Sequence, residues 1–428
     1  MGGCIRDSLL GRTPNDWDIT TSAKPQEVRS FFSHTVDTGI QHGTVTVMVD
    51  HEGYEVTTYR IDGEYEDARH PKEVSFTSDL LEDLRRRDFT INAMAYNDTN
   101  GLVDAYQGEQ DLAKGRIRCV GDARQRFQED ALRMMRAVRF SAQLGFSIEE
   151  ETRQAIRELA PTIGKVSAER IQAELVKLLV SPHPQQLKDA WELGLTAVFL
   201  PEWDEMMHTK QNTKHHQYTV GEHTLHAMQA IRADKVLRLS MCLHDVAKPP
   251  CRTVDEKTGA DHFYGHPKKG ALLAEQILRR LKFDNETIRR VCRFVEFHDD
   301  RPALREKNIR RAISTIGLEF YPELFEIKRA DTLAQSLYQR EEKLAYIDEY
   351  QRIYEQILET KQCVCKKDLA IGGKELMALG MKPGKNMGQM MDWLYEQVLE
   401  EPEKNTKEDL CELALQRLKE QEECGEEE

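Results

Sequence analysis

The chain has 428 residues, of which 39% are hydrophobic and 31% are charged, and its formal net charge at pH 7 is −14. This length favours about three domains, and the apolar fraction is sufficient for ordinary cores. No apolar run is long enough for a transmembrane helix, and the acidic total excludes a protein that is basic over its whole surface. The nine cysteines are scattered, with no Cys-x-x-Cys pair and no secretory leader before them, which is typical of reduced thiols in a cytoplasmic protein.

The first 120 residues mix strand and helix patterns. GTVTVMVD (43–50) alternates valine with threonine and methionine, as a half-buried strand does, and GYEVTTYR (53–60) is its expected antiparallel neighbour across the turn-prone DHEG (50–53). The polar stretch 62–80 predicts a long mobile loop, and GRIRCVGDA (115–123) predicts the last strand of this region. Together these patterns predict a small mixed sheet.

From Phe127 onward the sequence is almost wholly helical in its periodicity. In EDALRMMRAVRFSAQLGF (129–146) the apolar residues Ala131, Met134, Met135, Val138 and Ala142 form one helical stripe. Short amphipathic helices, a histidine-rich helical region and a charged helical tail follow. The predicted fold class is therefore α+β, with a small mixed-sheet head followed by helical regions.

Asp16 and Asp18 lie in DWDIT (16–20), for which we predict a strand. Residues i and i+2 of a strand share a face, so both carboxylates can serve one site, and oxygen ligands suit two Mg²⁺ ions. Glu55, on the neighbouring predicted strand, is a candidate third carboxylate; the alternative is an ordinary outward-facing acid. Gly3 lets a backbone approach phosphate closely, with Arg6 one turn further on.

The order of these motifs resembles a known superfamily. Gly-Gly-x-x-Arg-Asp (2–7), Leu-Leu-Gly (9–11) and Asp-x-Asp (16–18) resemble the nucleotidyltransferases that include DNA polymerase beta. RRRDFTINAMA (85–95) and EDALRMMRAVRF (129–140) narrow the resemblance to class II tRNA nucleotidyltransferases, the CCA-adding enzymes and their bacterial poly(A) polymerase relatives. The motifs run in family order through about residue 180.

The resemblance implies a Mg²⁺-dependent transfer in which Asp16 and Asp18 hold the metal ions. It also implies which matched positions would bind the nucleotide. These are Gly3, Arg6 and Arg87 for the triphosphate, Asp88 and Asn92 for the ribose, and Asp130, Arg133, Arg136 and Arg139 on the nucleotide-binding helix.

Asp130 and Arg133 also make a chemical prediction. Cytosine and adenine each present an amino donor beside an unprotonated ring nitrogen, so a carboxylate acceptor and a guanidinium donor would satisfy both bases. Uracil and guanine present the opposite order and would be rejected, because buried polar groups would stay unpaired. Arg133, Arg136 and Arg139 wind along the flank away from the apolar stripe; a solvated basic face is the alternative explanation.

A second constellation lies in the histidine-rich region. His223, His244 with Asp245, His266, His298 and Asp331 recur along predicted helices. Their order and spacing resemble the HD superfamily of metal-dependent phosphohydrolases, which implies a second divalent or transition metal here. The alternative is a degenerate HD domain kept as a helical spacer. The candidate ligands are His223, His244, Asp245, His298 and Asp331, with His266 between them; His208, His215, His216 and His226 are expected at the surface.

The resulting prediction is a CCA-adding tRNA nucleotidyltransferase with tRNA, CTP and ATP as partners and no membrane association. Its predicted regions are a head (1–122), a neck (123–185), an HD-type body (186–345) and a C-terminal tRNA-binding region with an acidic tail (346–428). A poly(A) polymerase, and an HD phosphohydrolase whose head only binds nucleotide or RNA, are the alternatives.

The beginning of the sequence carries one more expectation. In the family about two dozen residues, including a strand, precede Gly-Gly, whereas here Met1 stands in that place. Either the sequence is shortened, or the sheet lacks a strand beside its metal site. In the second case we expect Gly3 and Arg6 to be poorly held.

Overall fold

The computed structural model describes residues 1–14, 16–40, 43–63 and 74–425, and its N-terminal part contains a four-stranded sheet. The strands of this sheet are β1 (Ile19–Thr21), β2 (Thr35–Gly39), β3 (Thr44–Val49) and β4 (Glu52–Thr58). Their order is β1-β4-β3-β2; β1 runs parallel to β4, and the other two pairs are antiparallel. The N-terminal part therefore has the predicted mixed sheet.

The turn between β3 and β4 follows from its two central residues. Asp50 and His51 have φ angles of 50° and 69°. A two-residue turn with both residues in the left-handed region matches the twist of the strands it joins. The predicted pairing across DHEG is confirmed, with Val45 and Val47 buried in a small apolar cluster.

The rest of the N-terminal part consists of short elements. They are α1 (Gly3–Leu9), α2 (Pro25–Phe31), β5 (Arg60–Asp62), β6 (Val74–Phe76), α3 (Leu80–Arg85), β7 (Ala95–Asn97), β8 (Gly101–Val103), α4 (Gly108–Ala113) and β9 (Arg116–Ile117). β5 and β6 form an antiparallel pair, so strand residues lie near both ends of the segment 62–80. The prediction of a loop over the whole segment is wrong there, because backbone pairing outweighs the polar composition. Residues 64–73 of that segment lie outside the described residues.

The chain from residue 123 is almost wholly helical, as predicted. Its helices are α5 (Ala123–Glu129), α6 (Leu132–Leu144), α7 (Glu150–Leu159), α8 (Ala168–Leu179), α9 (Leu187–Glu192), α10 (Thr196–Phe199), α11 (Pro201–His208), α12 (Val220–Ala230), α13 (Lys235–Leu243), α14 (Lys248–Cys251), α15 (His266–Arg280), α16 (Asn285–Phe297), α17 (Glu306–Ile316), α18 (Tyr321–Ala334), α19 (Arg340–Glu359), α20 (Gly373–Ala378), α21 (Lys385–Glu400) and α22 (Lys407–Gly425). Three two-residue strands are β10 (Ser147–Ile148), β11 (Thr253–Val254) and β12 (Asp261–His262). Single 3-10 turns lie at Thr90–Asn92, Ala160–Lys165, Pro184–Gln186, Leu318–Phe320, Lys366–Asp368 and Pro402–Lys404.

One continuous apolar core joins the N-terminal part to the helical regions. It runs from Phe89 to Val364 and contains the whole predicted stripe of α6. β9 also pairs in parallel with β10, which ties the last strand of the head to the neck. The chain after residue 363 has its own core around Leu376, Leu394 and Leu410.

The α+β fold class is thus confirmed, whereas the three boundaries between the four predicted regions remain predictions. Among the described residues, no helix is both long enough and apolar enough to cross a bilayer.

Candidate active site and metal centre

Three exposed acids lie at one end of the N-terminal sheet: Asp16, Asp18 and Glu55. Asp16 lies in a bend and β1 begins only at Ile19, so the prediction that both aspartates occupy strand positions is wrong. Because Ile19 pairs with Val56 in the parallel ladder, Asp18 lies next to Glu55 at the start of that ladder. Within the described ranges, none of the three carboxylates makes a hydrogen bond or an ion pair, so all three remain available as ligands.

Gly2 and Arg87 meet tightly at the start of α1. Gly2 has a φ of 79°, and its backbone N–H donates to the Met94 carbonyl at 2.9 Å. A Cβ at this position would lie 2.4 Å from Arg87 Nη1, which itself donates to the Asn92 carbonyl at 3.2 Å. Both the backbone angle and the close approach therefore require glycine. Burial lowers the pKa of Arg87, and the charge of Asp83 opposes this effect.

A chain of hydrogen bonds connects α1 to α6. Arg6 Nη1 donates to Asn92 Oδ1 at 2.7 Å, and Asn92 Nδ2 donates to Asp88 Oδ1 at 3.1 Å. Arg136 Nε donates to Asp88 Oδ2 at 2.8 Å. Burial alone would raise the pKa of Asp88, but the Arg136 guanidinium and the Asn92 amide lower it well below its usual value. The expectation that Gly3 and Arg6 would be poorly held is wrong, because Arg6 belongs to this chain and Gly3 is the first residue of α1.

Three of the predicted nucleotide-binding arginines lie close to the ring of Phe140. The guanidinium carbons of Arg6, Arg136 and Arg139 lie 5.1, 5.4 and 3.7 Å from its centroid. These distances allow cation–π contacts. Each of these guanidinium groups also has a carboxylate partner (Asp7, Asp88 and Glu174, respectively), so the charges of this cluster are balanced within the protein.

Arg139 is not part of a solvated basic face. It is 7% exposed, and its Nε lies 2.6 Å from Glu174 Oε2 on α8. Burial lowers the pKa of Arg139 to about 10, while Glu174 opposes that shift. The solvated-face alternative therefore fails for this residue.

Asp130 and Arg133, the predicted base-reading pair, already have protein partners. Asp130 Oδ2 accepts from Arg170 Nη2 at 2.7 Å, and Asp130 Oδ1 accepts from the Leu132 N–H at 3.0 Å. Arg133 pairs with Glu129. Both groups lie at the N-terminal end of α6, held by neighbours on α5 and α8.

All six candidate ligands of the second constellation are buried, and their side chains converge in the helical body. They come from α12, α13 and the residues after it, α15, the end of α16, and α18. They are His223, His244, Asp245, His266, His298 and Asp331.

The first half of this cluster is built around His223. Its Nε2 lies 2.9 Å from Asp331 Oδ1 and 3.2 Å from His244 Nε2. His244 Nε2 lies 3.1 Å from Asp245 Oδ2. The donor atoms of His223, His244 and Asp245 all lie within 4.8 Å of one another, which is close enough to hold one metal ion.

The second half uses the other oxygen of Asp245. Asp245 Oδ1 lies 3.4 Å from His266 Nε2 and 3.7 Å from His298 Nε2. The two imidazole Nε2 atoms are themselves 3.4 Å apart. Asp245 thus belongs to both triads, and Lys248 Nζ lies 2.7 Å from its Oδ2. Burial would raise the pKa of Asp245, but His244 and Lys248 lower it well below its usual value.

Backbone carbonyls fix the imidazole rings. Nδ1 of His244, His266 and His298 lies 2.7 to 2.8 Å from the carbonyl three residues earlier, and His223 Nδ1 lies 3.3 Å from the Ala334 carbonyl. A carbonyl only accepts, so each Nδ1 must carry the proton. In the neutral rings Nε2 then presents a lone pair, and the lone pairs that face each other at 3.2 and 3.4 Å require either a proton or a metal ion between them. The donor set therefore fits divalent metal ions.

A cavity of about 700 Å³ opens onto this cluster. His215 and His216 line it, so the expectation that they are surface residues is wrong. The ring of His216 packs edge-on against that of His223 at 5.1 Å, and burial lowers the pKa of His216 to about 2. His208 and His226 are exposed, as predicted.

The sequence analysis missed Phe140, Arg170, Glu174 and Lys248. A signal for Glu174 exists, because it lies three residues after Ile171 and four before Leu178, on the buried stripe of α8. A charged residue on an apolar stripe indicates a buried ion-pair partner. The contacts of Phe140 with Arg6 and of Arg170 with Asp130 depend on packing between distant segments, whereas Lys248 lies only three residues after Asp245.

Family models match most of the chain. The poly A polymerase head domain matches residues 1–118, a model described as "Probable RNA and SrmB-binding site of polymerase A" matches 145–207, and the tRNA nucleotidyltransferase domain 2 model matches 269–414.

Curated and solved relatives carry one common name. The chain is 41% identical over 313 residues to the CCA-adding enzyme of Leuconostoc mesenteroides, an alignment that covers 69% of this chain and 77% of the relative. It is 36% identical over 410 residues to the CCA-adding enzyme of Pediococcus pentosaceus, covering 95% and 90% of the two chains. The crystal structure of the Bacillus stearothermophilus CCA-adding enzyme in complex with CTP is similar with a TM-score of 0.72 at 28% identity, covering 99% of this chain and 93% of that one.

Proposed function

The chain belongs to the CCA-adding enzyme family, and we propose that it adds CCA to the 3′ end of tRNA from CTP and ATP without a nucleic-acid template. The observation that carries this proposal is that four of the predicted nucleotide-binding residues, Arg6, Asn92, Asp88 and Arg136, form one hydrogen-bonded chain. Since tRNA is the proposed substrate, we also propose a cytoplasmic location. The reaction is attack of the RNA 3′-hydroxyl on the α-phosphate of the nucleotide, with pyrophosphate as the leaving group.

The acidic end of the sheet fits Mg²⁺. Asp16 and Asp18 are exposed oxygen donors without protein partners among the described residues, and Glu55 lies beside Asp18. Mg²⁺ held there would lower the pKa of the attacking hydroxyl and balance the charge of the triphosphate. Glu55 is placed to accept the proton of that hydroxyl.

The arginines around Phe140 provide the triphosphate site. Arg6 and Arg87 lie on either side of Asn92, and Arg136 and Arg139 approach from α6. Guanidinium groups bind phosphate oxygens with two parallel N–H donors. We propose Asp88 and Asn92, which are hydrogen-bonded to each other, as the contacts to the ribose hydroxyls.

Base choice falls to Asp130 and Arg133. An acceptor beside a donor matches cytosine and adenine and mismatches uracil and guanine. In Arg133→Ala, we expect discrimination against UTP and GTP to fall more than the affinity for Mg²⁺. Equal selectivity in the variant and the unaltered protein would contradict this role.

The reaction is tested on tRNA that lacks its 3′ CCA, with labelled CTP and ATP. Addition of C, C and A followed by arrest supports the proposal. A long A tail would instead identify a poly(A) polymerase, and release of phosphate without extension would identify a hydrolase with a nucleotide-binding head.

A second function is favoured by the buried cluster of the body. We propose that its two triads, which share Asp245, would hold divalent metal ions and that the site hydrolyses phosphoesters. Metal ions there would supply an activated water and neutralise the phosphoryl group. The chain itself contributes four carbonyl-anchored imidazoles and the Lys248 ammonium, which faces the cavity and can contact a phosphoryl oxygen.

Metal content tests this second function directly. Two histidines on α12 form a matched pair, because His223 is buried in the cluster and His226 is exposed. After loading with Mn²⁺ and dialysis, we expect His223→Ala to retain less metal per chain than His226→Ala and to release less phosphate from p-nitrophenyl phosphate. Equal metal content in the two variants would show that the cluster is a spacer without a metal.

A further inference from the structure

Asp130 is held from α8 as well as from its own helix. Arg170, in the first turn of α8, donates Nη2 to Asp130 Oδ2 at 2.7 Å and Nη1 to Oδ1 at 3.3 Å. The Leu132 N–H donates to the same Oδ1 at 3.0 Å. The Arg170 and Asp130 side chains are 23% and 16% exposed, so this two-pronged contact is only partly open to water.

These contacts limit what Asp130 can still accept. A carboxylate offers about four lone-pair positions, and three of them are occupied here. One acceptor position remains for a base, which matches the single amino group that cytosine or adenine would present. The contact also fixes the direction of that acceptor, because two parallel N–H donors prevent the carboxylate from turning.

The fixed direction of the carboxylate matters more for rejecting uracil and guanine than for accepting cytosine and adenine. A carbonyl of uracil or guanine is repelled only while the carboxylate oxygen stays opposite it. A carboxylate free to rotate moves away from the carbonyl and no longer penalises it. By contrast, an amino donor attracts the carboxylate back into place.

We propose that Arg170 is a positioning residue for base selection, which acts by holding Asp130 as a fixed acceptor. This proposal rests on the proposed CCA addition and on the base-reading role of Asp130. A second contact from the same helix supports it, because Glu174, one turn after Arg170, holds Arg139 of α6. Helix α8 therefore braces the nucleotide-binding helix at two points on one side.

The test compares nucleotide discrimination in three variants. Arg170→Gln removes the charge and the two-pronged contact, whereas Arg170→Lys keeps the charge with a single donor group. The matched control is Lys177→Gln, which removes an exposed cation from the same helix. The measurement is kcat/KM for CTP and UTP on tRNA lacking CCA, and for ATP and GTP on tRNA ending in CC, with thermal unfolding to confirm folding.

We expect Arg170→Gln to lower the CTP-to-UTP and ATP-to-GTP ratios roughly tenfold, mostly through faster use of the wrong nucleotide. Arg170→Lys should lie between Arg170→Gln and the unaltered protein, and Lys177→Gln should match the unaltered protein. Unchanged ratios in Arg170→Gln, or an equal fall of kcat/KM for all four nucleotides, would overturn the proposal. Failure of the unaltered protein to extend tRNA would instead overturn the proposed CCA addition.

Discussion

The acidic end of the head and the histidine–aspartate cluster of the body differ in how far their geometry is fixed. Asp16, Asp18 and Glu55 are exposed and have no protein partner among the described residues. In the body cluster every imidazole is buried and anchored through Nδ1 to a carbonyl. In the two proposed functions, the head would offer open ligands to a metal ion that arrives with its nucleotide, whereas the rings of the body cluster are fixed before any metal binds.

This difference suits the two proposed reactions. A transferase must admit a nucleotide and an RNA end and then release pyrophosphate, so open metal ligands are useful. A cluster that keeps its metal through many turnovers benefits from fixed rings and from burial. The two sites also differ in how the family models cover them. Residues 208–268 lie between the second and third matched ranges, and they supply four of the six cluster residues.

The largest expected effect comes from separating the two sites. Asp18→Asn should lower CCA addition by about 10²–10³-fold, since it removes a charged ligand at the reacting phosphate. The same variant should keep the full metal content and phosphatase activity of the body. His223→Ala should show the converse. Loss of both activities in either single variant would contradict two independent sites.

The body cluster was predictable from sequence because its ligand types recur on successive helices. The sequence pattern predicts His223, His244 and Asp245 as ligands of one site, and their donor atoms lie close together in the structure. The anchoring carbonyls could not be predicted, since they depend on where α13 and α16 end. Likewise, the β3–β4 turn followed from Asp50 and His51, but the late start of β1 did not, because it depends on where pairing with β4 begins.

The neck shows the limit of motif-based reasoning more clearly. Arg136 and Arg139 were expected to bind nucleotide, and both are also structural, paired to Asp88 and Glu174. Sequence patterns indicate which residue types a site needs. They do not indicate which of those residues already hold each other, because such pairs lie 35 to 48 positions apart.

An intermediate effect is expected for the link between head and neck. Arg136→Gln leaves Asp88 buried with one partner fewer, so we expect a loss of about 2 kcal/mol in the free energy of unfolding, discounted because Arg136 is partly exposed. The pKa of Asp88 is lower in the folded protein than in the unfolded chain. Its contribution to the free energy of unfolding is therefore present above the unfolded pKa of about 3.9 and is lost as the pH falls below that value. Urea unfolding at pH 7 and pH 3 should therefore show a smaller difference between variant and unaltered protein at pH 3.

The control for this prediction is Arg124→Gln, which breaks the exposed ion pair with Glu158. Exposed pairs of this kind contribute little to the free energy of unfolding. A loss in Arg136→Gln no larger than in Arg124→Gln, or one that does not change with pH, would show that Asp88 is held by Asn92 and the backbone alone.

The smallest expected effect concerns how the body cluster is held. Lys328 of α18 is buried, and its Nζ donates to the carbonyls of Phe297, His298 and Asp300 at the end of α16. Burial lowers the pKa of Lys328 to about 8, although Asp300 opposes the shift. The ammonium thus caps the helix that ends at His298, and Lys328 stands three residues before Asp331 on α18. Lys328 therefore links α18, which supplies Asp331 to the first half of the cluster, with the end of α16, which supplies His298 to the second half.

In Lys328→Met we expect the affinity for the second Mn²⁺ to fall about tenfold, as for other residues that orient metal ligands. CCA addition should stay unchanged, because the head does not depend on this cap. Lys235→Met, which removes a half-buried lysine of α13 that pairs with Asp284, is the matched control and should bind both ions normally. If Lys328→Met bound metal like the control, burial of the ligands alone would suffice to shape the site. The difference between the two sites would then be that the head ligands are exposed and the body ligands are buried, and not that the body ligands are anchored.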